Sequence, residues 1–393
     1  MKHLQIAKWI MIVTGFWTFK KEYFTKQQHL FYRAYGIIMQ LYFSCFIGAL
    51  CVGLKAVQDN IQLIDAIGLL IFCSVMLIKI IICQRKSVRS IMNRIVDFDD
   101  ESDTLTGKFR DIYLKNSRYN VIYGLSLFLV SAMCGVTLVF CDVAIYSYDM
   151  KRVKSGDLNS SDVRRPLPYH IWRPIDEKKH YYRAFLLDVL TATIGCTYNT
   201  ATQIVYLSIL TFILGQIKIL QVKFEQMGAV CSRLGSEQER FMYLRSLIVE
   251  HQNIISFVKD LDENMKYLLF VEFTINPLQI TCNLYEVLVF KVDGMFLFRV
   301  VLLLCMLIQM FTLTWHSNEI QVLGMAISQS VYDGEWYDLS EKFKQRLLIV
   351  MMRAQRPLTL AVGPFFILTN STAVTSVKAA YSYLALLNNK RGD

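Results

Sequence analysis

Charge is scarce in this chain. Asp, Glu, Lys and Arg make up 19% of its 393 residues, against 54% hydrophobic residues and a mean hydropathy of +0.35. A soluble domain carries about 25% charged residues, so the composition excludes a solvated globule and indicates a multi-pass membrane protein. Catalytic signatures are missing too: no GxSxG, HExxH or P-loop occurs. His316 follows Trp315 with no second ligand at i+3 or i+4, and His170 and His180 lie in a polar stretch. Neither enzyme activity nor a bound cofactor is expected. The ten cysteines include no CxxC and no metal spacing. All but Cys231, which falls in a polar stretch, lie in or beside apolar runs and read as small buried hydrophobes. No alternating segments of about 10 residues, as β-barrel strands would show, are seen. No cleavable leader is expected, because Lys20, Lys21, Glu22 and Lys26 interrupt any apolar core. The net charge of +10 comes without a nucleic-acid module. Basic loops resting on anionic headgroups explain it, so membrane lipid is an expected partner and nucleic acid is not.

The apolar residues are gathered into runs of about 20, the length that crosses roughly 30 Å of hydrocarbon. Seven spans are predicted, at residues 36–54, 61–83, 120–146, 185–215, 265–290, 295–324 and 358–387. The fold class is therefore an all-α membrane protein with seven transmembrane helices, placed in the plasma membrane. Pro277 predicts a kink in the fifth span, and Lys79 stands near one end of the second. Lysine and arginine favour one orientation by about two to one, with the N-terminus cytoplasmic and the C-terminus extracellular. The polar stretch 147–183 is then an outer loop and 216–264 an inner one. Asn159, in the sequon Asn159-Ser160-Ser161, becomes a candidate glycosylation site. A second sequon, at Asn370, lies within the last span and is expected to be unused. The acidic run Asp97, Asp99, Asp100, Glu101 and Asp103 reads as a solvated helix cap and loop.

The C-terminal stretch is the most distinctive. An acidic, aromatic turn, Tyr332-Asp333-Gly334-Glu335-Trp336-Tyr337-Asp338-Leu339, leads into an amphipathic segment over 338–356. There Leu339, Phe343, Leu347, Val350 and Met351 recur at helical spacing between Lys342, Lys344, Arg346 and Arg353. Such a helix can lie on the inner leaflet or bury one face on partner helices. Then come Met352-Arg353-Ala354-Gln355-Arg356-Pro357-Leu358, the start of the last span at Gly363-Pro364-Phe365-Phe366, and Tyr381-Ser382-Tyr383 near its end. Lys378 is an intramembrane charge, fit for a functional role or an internal pairing.

These features resemble the insect odorant receptor family, in particular its odour-tuning subunits. The inner loop is short beside that of the family's longer co-receptor, which points to a tuning subunit. A gustatory-type chemoreceptor is the alternative nearest to hand, but its terminal Thr-Tyr and Gln motif is replaced here by Ser382-Tyr383 and Asn388-Asn389. A seven-helix G-protein-coupled receptor would carry Asp-Arg-Tyr after the third span and Asn-Pro-x-x-Tyr in the seventh; Asn276-Pro277 is in the fifth and lacks the tyrosine. A transporter would show internal repeats or paired broken helices.

The resemblance implies a ligand-gated, non-selective cation channel, a heterotetramer of tuning and co-receptor subunits opened by a small volatile organic ligand. It divides the chain into a six-helix ligand-binding region over 1–330 and, over 331–393, a cytoplasmic anchor helix with a pore-lining last helix. The last helix is split into a cytoplasmic half and a membrane half. By resemblance, Tyr383, Leu386, Asn389 and Lys390 belong to the pore, with Leu386 at the aliphatic gate.

The odorant pocket is expected in the outer half of the membrane, apolar with few polar groups. Candidate walls are Ile67, Ile71, Phe72 and Ser74 on the second span and Phe128, Ser131, Ala132, Gly135 and Val139 on the third. The fourth adds Leu187, Leu190, Thr191, Ile194 and Tyr198, and the sixth adds Leu303, Leu304 and Leu307. Ser131 and Gly135 leave room, and Thr191 or Tyr198 can hydrogen-bond. Taken singly, each is equally an ordinary core residue.

Overall fold

The computed structural model describes residues 3–17, 25–56, 60–102, 105–155, 167, 169, 171–173, 179–289 and 295–392. Five helical stretches among them are long and apolar enough to cross a membrane: Gln27–Gly53, Ala66–Cys83, Gly107–Lys154, Tyr181–Glu225 and Phe296–Tyr332. They belong to α2 (Lys26–Gly53), α3 (Asn60–Cys83), α5 (Gly107–Lys154), α6 (Tyr181–Glu225) and α9 (Phe296–Tyr332). The expected fifth and seventh spans fall on α8 (Glu237–Val289) and α11 (Asn370–Gly392), which are more polar. These two helices pack on each other, with Thr281 Oγ1 donating to Ala380 O at 3.1 Å.

Helix α6 is the centre of the bundle. From Tyr198 to Gly215 every one of its residues is buried, so it has no solvent or lipid face. Its polar side chains are matched by neighbours: Asn199 Nδ2 donates to Gln309 Oε1 on α9 at 3.2 Å, and Thr211 Oγ1 bonds Asn120 Oδ1 on α5 at 3.1 Å.

The helices outrun the membrane. At 1.5 Å per residue, the 48, 45 and 53 residues of α5, α6 and α8 span about 72, 68 and 80 Å, over twice the hydrocarbon thickness. The stretch 216–264, expected to be a loop, is therefore largely helix. It holds the end of α6, then α7 (Met227–Arg233), then the first half of α8. The reason is a seam in α8. Leu244, Leu247, His251, Ile254, Val258, Leu261, Met265 and Leu268 are all buried, in alternating steps of three and four. Burial, then the charge of Arg353, pushes the His251 imidazole down to about 4. It sits neutral in the seam at physiological pH. Cys231, expected in a polar loop, is fully buried on α7.

The acidic run is corrected at one member. Asp97, Asp99, Asp100 and Glu101 end α4 (Lys86–Glu101), with Asp100 and Glu101 exposed, but Asp99 shares the buried face of that helix with Val88, Ile91, Met92 and Ile95; Asp103 lies outside the described residues. Its carboxylate accepts the backbone N–H groups of His3 and Leu4 at 3.2 and 3.4 Å and the Tyr113 hydroxyl. This holds α1 (Gln5–Val13) in the bundle, where the His3 ring lies 2.9 Å from Ser208 O.

At the other end, α10 (Glu341–Ala354) forms where amphipathic spacing predicts it, with Phe343, Leu347, Val350 and Ala354 buried within the same chain. The last helix, however, begins at Asn370 and not near 358. Pro357 bars continuation of α10. The chain then makes a short antiparallel hairpin, β1 (Ala361–Val362) with β2 (Phe366–Ile367). Gly363 turns it at φ +61°, and its N–H donates to Lys266 O on α8 at 2.8 Å. Asp262 Oδ1 accepts Ala361 N at 2.6 Å. The Gly363-Pro364-Phe365-Phe366 segment is thus a turn clamped to α8, so the two expected halves of the last helix are separate helices.

Candidate functional site

Thr191, Ile194 and Tyr198 lie at i, i+3 and i+7 of α6 and are buried on one face. Thr191 Oγ1 donates to Leu187 O at 2.8 Å and stands 2.6 Å from the Tyr42 hydroxyl of α2, which donates to it. The Tyr198 ring is stacked on Phe16 at 5.0 Å and meets Phe43 edge-on at 5.5 Å. Its hydroxyl is buried without a hydrogen-bond partner among the described residues. Phe46 lies 5.4 Å from Tyr169, which belongs to the 147–183 stretch. Trp172 N donates to Ala49 O at 3.2 Å, and Arg173 Nη2 donates to Asp188 Oδ2 at 2.5 Å and to Tyr169 O at 2.8 Å. The described part of that stretch is folded down onto α2 and α6 as a cap over this aromatic cluster.

The predicted wall residues divide. Ser131 is buried on α5, with its hydroxyl 3.4 Å from Cys196 O. The space beside Gly135 is taken by Cys196, whose Sγ lies 3.4 Å from where a Cβ would be. Ile71, Phe72, Ser74, Ala132, Val139, Leu303 and Leu307 are half-buried. Ile67, Phe128, Leu187, Leu190 and Leu304 are exposed, facing whatever surrounds the bundle. Sequence reasoning missed Tyr42, Phe43 and Phe46 of α2, Phe16 and Tyr169. The close spacing of Tyr42, Phe43 and Phe46 is visible in the sequence, but it cannot be told from ordinary core packing without knowing that α2 meets α6.

A buried ion pair ties the same helices to α8. Lys79 Nζ of α3 lies 2.6 Å from Glu272 Oε1, with side chains only 5% and 7% exposed. Gln203 Nε2 of α6 adds a bond to the same oxygen at 3.3 Å, while Glu272 Oε2 has no hydrogen-bond partner among the described residues. Lys79 is visible in the sequence as an intramembrane charge; nothing there identifies its partner 193 positions away.

Helix α11 is two-faced. Ala373, Ser376, Ala380 and Leu384 are buried, and α8 runs against this side. Val374, Lys378, Tyr381, Tyr383 and Leu386 are exposed, Tyr383 at 43% and Leu386 at 63%. Asn389 and Lys390 fall within α11, but their side chains lie outside the described residues, as does Asn159 altogether.

The family model for the 7tm odorant receptors matches residues 59–381. Odorant receptor 10 of Aedes albopictus is 29% identical over 228 residues, which is 57% of this chain and 60% of that one. Odorant receptor Or2 of Anopheles gambiae is 27% identical over 231 residues, 57% of this chain and 61% of that one. The matched part is thus about three fifths of these relatives' length. The insect olfactory receptor OR5 from Machilis hrabei, solved in complex with eugenol, superposes with a TM-score of 0.78 at 16% identity. The alignment covers 98% of this chain and 97% of that one. Without the ligand, the same receptor gives 0.79 at 15% identity. At such identities the likeness shows the fold alone.

Proposed function

This chain belongs to the 7tm odorant receptor family, and on that premise we propose that it is an odour-tuning subunit of a ligand-gated, non-selective cation channel. It works with a co-receptor subunit in a heterotetramer. The observation that carries this reading is the two-faced α11. Its free face carries Thr375, Lys378, Tyr381 and Ser382 beside Tyr383 and Leu386, and a face that polar suits neighbouring subunits and water better than lipid. A ring of such helices encloses a shared pathway, and bare aliphatic side chains there gate by excluding water. In this arrangement 331–393 is the anchor and pore unit, 1–330 is the ligand-binding unit, and the C-terminus is extracellular.

The ligand site is the capped aromatic cluster around Thr191, Ile194 and Tyr198, with Ser131 from α5 and the half-buried Phe72, Leu303 and Leu307 at its margin. The exposed candidates belong to the outer surface of the bundle. Eugenol, held by the receptor of like fold, fits a small ligand with an apolar body and a polar handle. Opening requires that the odorant bind the open form better than the closed, a coupling of typically about 1–3 kcal/mol. The family match weighs against the gustatory and G-protein-coupled alternatives.

Expression with an insect odorant co-receptor is expected to give odour-evoked cation currents, and expression alone is expected to give none. Silence across a broad volatile panel, with both subunits shown at the cell surface, would overturn the reading.

A further inference from the structure

We propose that the capped end of the bundle holds a recognition site for the ammonium group of a small amine, with Asp142 as its anionic partner. Asp142 of α5 is 7% exposed, and its Oδ2 is buried with no hydrogen-bond partner among the described residues. It lies within the field of a second carboxylate, Asp188 of α6, itself 1% exposed. Asp188 is engaged by the Arg173 guanidinium at 2.5 Å, and both those side chains are at most 7% exposed. Among the described residues, Arg173 thus serves Asp188, and Asp142 is paired with nothing.

An isolated carboxylate in an apolar bundle is strongly disfavoured; a proton, hydrogen-bond donors or a cation relieve it, and a donor that is itself a cation also cancels the charge. The position selects which cation. Asp188, held by Arg173 of the cap, is one turn of α6 from Thr191, and Asp142 stands beside it on α5, so the free carboxylate lies at the capped end of the helices that carry the proposed ligand site. Among the described residues no group of three His, Cys, Asp or Glu could hold a metal ion. A protonated primary amine carries N–H donors for Asp142 Oδ2 on an apolar body that suits Ile194 and Tyr198. A neutral odorant of the same shape supplies no counter-charge.

The inference rests on the reading of the chain as a tuning subunit, and the experiment separates the two. The receptor is co-expressed with an insect co-receptor, and currents are recorded at neutral pH against matched pairs: hexylamine with hexanol, and phenethylamine with 2-phenylethanol. In the wild type, half-maximal concentrations for the amines are expected to lie about tenfold or more below those of their alcohols, the worth of one charge-assisted hydrogen bond. Asp142→Asn is expected to bring that ratio close to one, and Asp142→Glu to restore part of it. Alcohols that gate as well as or better than the matched amines would overturn the amine site while leaving the tuning-subunit reading intact, and so would an amine preference unmoved in Asp142→Asn. Silence to every ligand, with surface delivery shown, overturns the tuning-subunit reading and the amine site with it. If the asparagine variant does not reach the surface, the wild-type ratios alone decide.

Discussion

Glu272→Ala, with Lys79 left in place, is expected to remove most of the receptor from the cell surface. The substitution strands an ammonium inside the bundle, where its one close anionic neighbour among the described residues stood 2.6 Å away. Breaking a buried pair in this way costs about 3–5 kcal/mol, a large share of the roughly 5–15 kcal/mol that holds a domain folded. Lys79→Met is expected to do comparable harm, because among the described residues the Glu272 carboxylate would keep only the amide of Gln203 at 3.3 Å. The double change Lys79→Met with Glu272→Leu removes both charges, and a well-packed apolar pair is often neutral or better. Surface biotinylation and thermal stability in detergent report all three. Single variants as stable as the wild type would mean that water reaches the pair. If the double variant reaches the surface but no longer opens, the pair serves gating and not folding.

Gly228→Val is expected to be nearly as damaging, through backbone and not charge. The Gly228 N–H donates to Gly334 O at 2.9 Å, so the acidic, aromatic turn rests directly on the junction of α6 and α7. A Cβ at 228 would meet Glu335 O at 2.5 Å and Gly334 O at 2.7 Å, both backbone atoms with nowhere to go. Glu335 already adopts φ +51°, a conformation uncommon outside glycine. Overpacking of this kind costs about 1–3 kcal/mol. The larger effect is on geometry, because the turn sets the entry of α10 and hence the seat of Phe343, 5.7 Å from Phe241 on α8. Loss of co-purification with the co-receptor, with the isolated subunit still made, is the expected result. Normal assembly of Gly228→Val would separate the turn from subunit association.

The membrane class, the placing of α2, α3, α5, α6 and α9, and the amphipathic α10 are legible from composition and periodicity. The seam in α8 is legible too, in the three-and-four spacing of Leu244, Leu247, Ile254, Val258 and Leu261. It is masked by the polar faces around it, which make 216–264 look like a loop to any measure of average hydropathy. Asp99 illustrates the same limit. Its neighbours in the chain are acidic and hydrated in character, whereas its partners, the N–H groups of His3 and Leu4, come from almost a hundred residues away. At 358–369, apolar composition suggests helix, and only Pro357, Gly363 and Pro364 betray the hairpin. The candidate site was half legible. The inward face of α6 follows from spacing, but its partners Tyr42 and Phe43 depend on which helices touch, and that is a property of the whole bundle.

The length of α8 has a mechanical consequence. Glu272, bound to α3 and α6, sits well off the centre of a rod that runs from Glu237 to Val289. The two arms measure about 52 and 26 Å at 1.5 Å per residue, so a small swing of the short arm is roughly doubled at the far end. The hairpin that feeds α11 is clamped at Lys266, on the long arm, while Thr281 touches α11 on the short one. Any rocking of this rod about Glu272 is therefore delivered in opposite senses to the hairpin before α11 and to the middle of that helix at Ala380, as a tilt and not a slide.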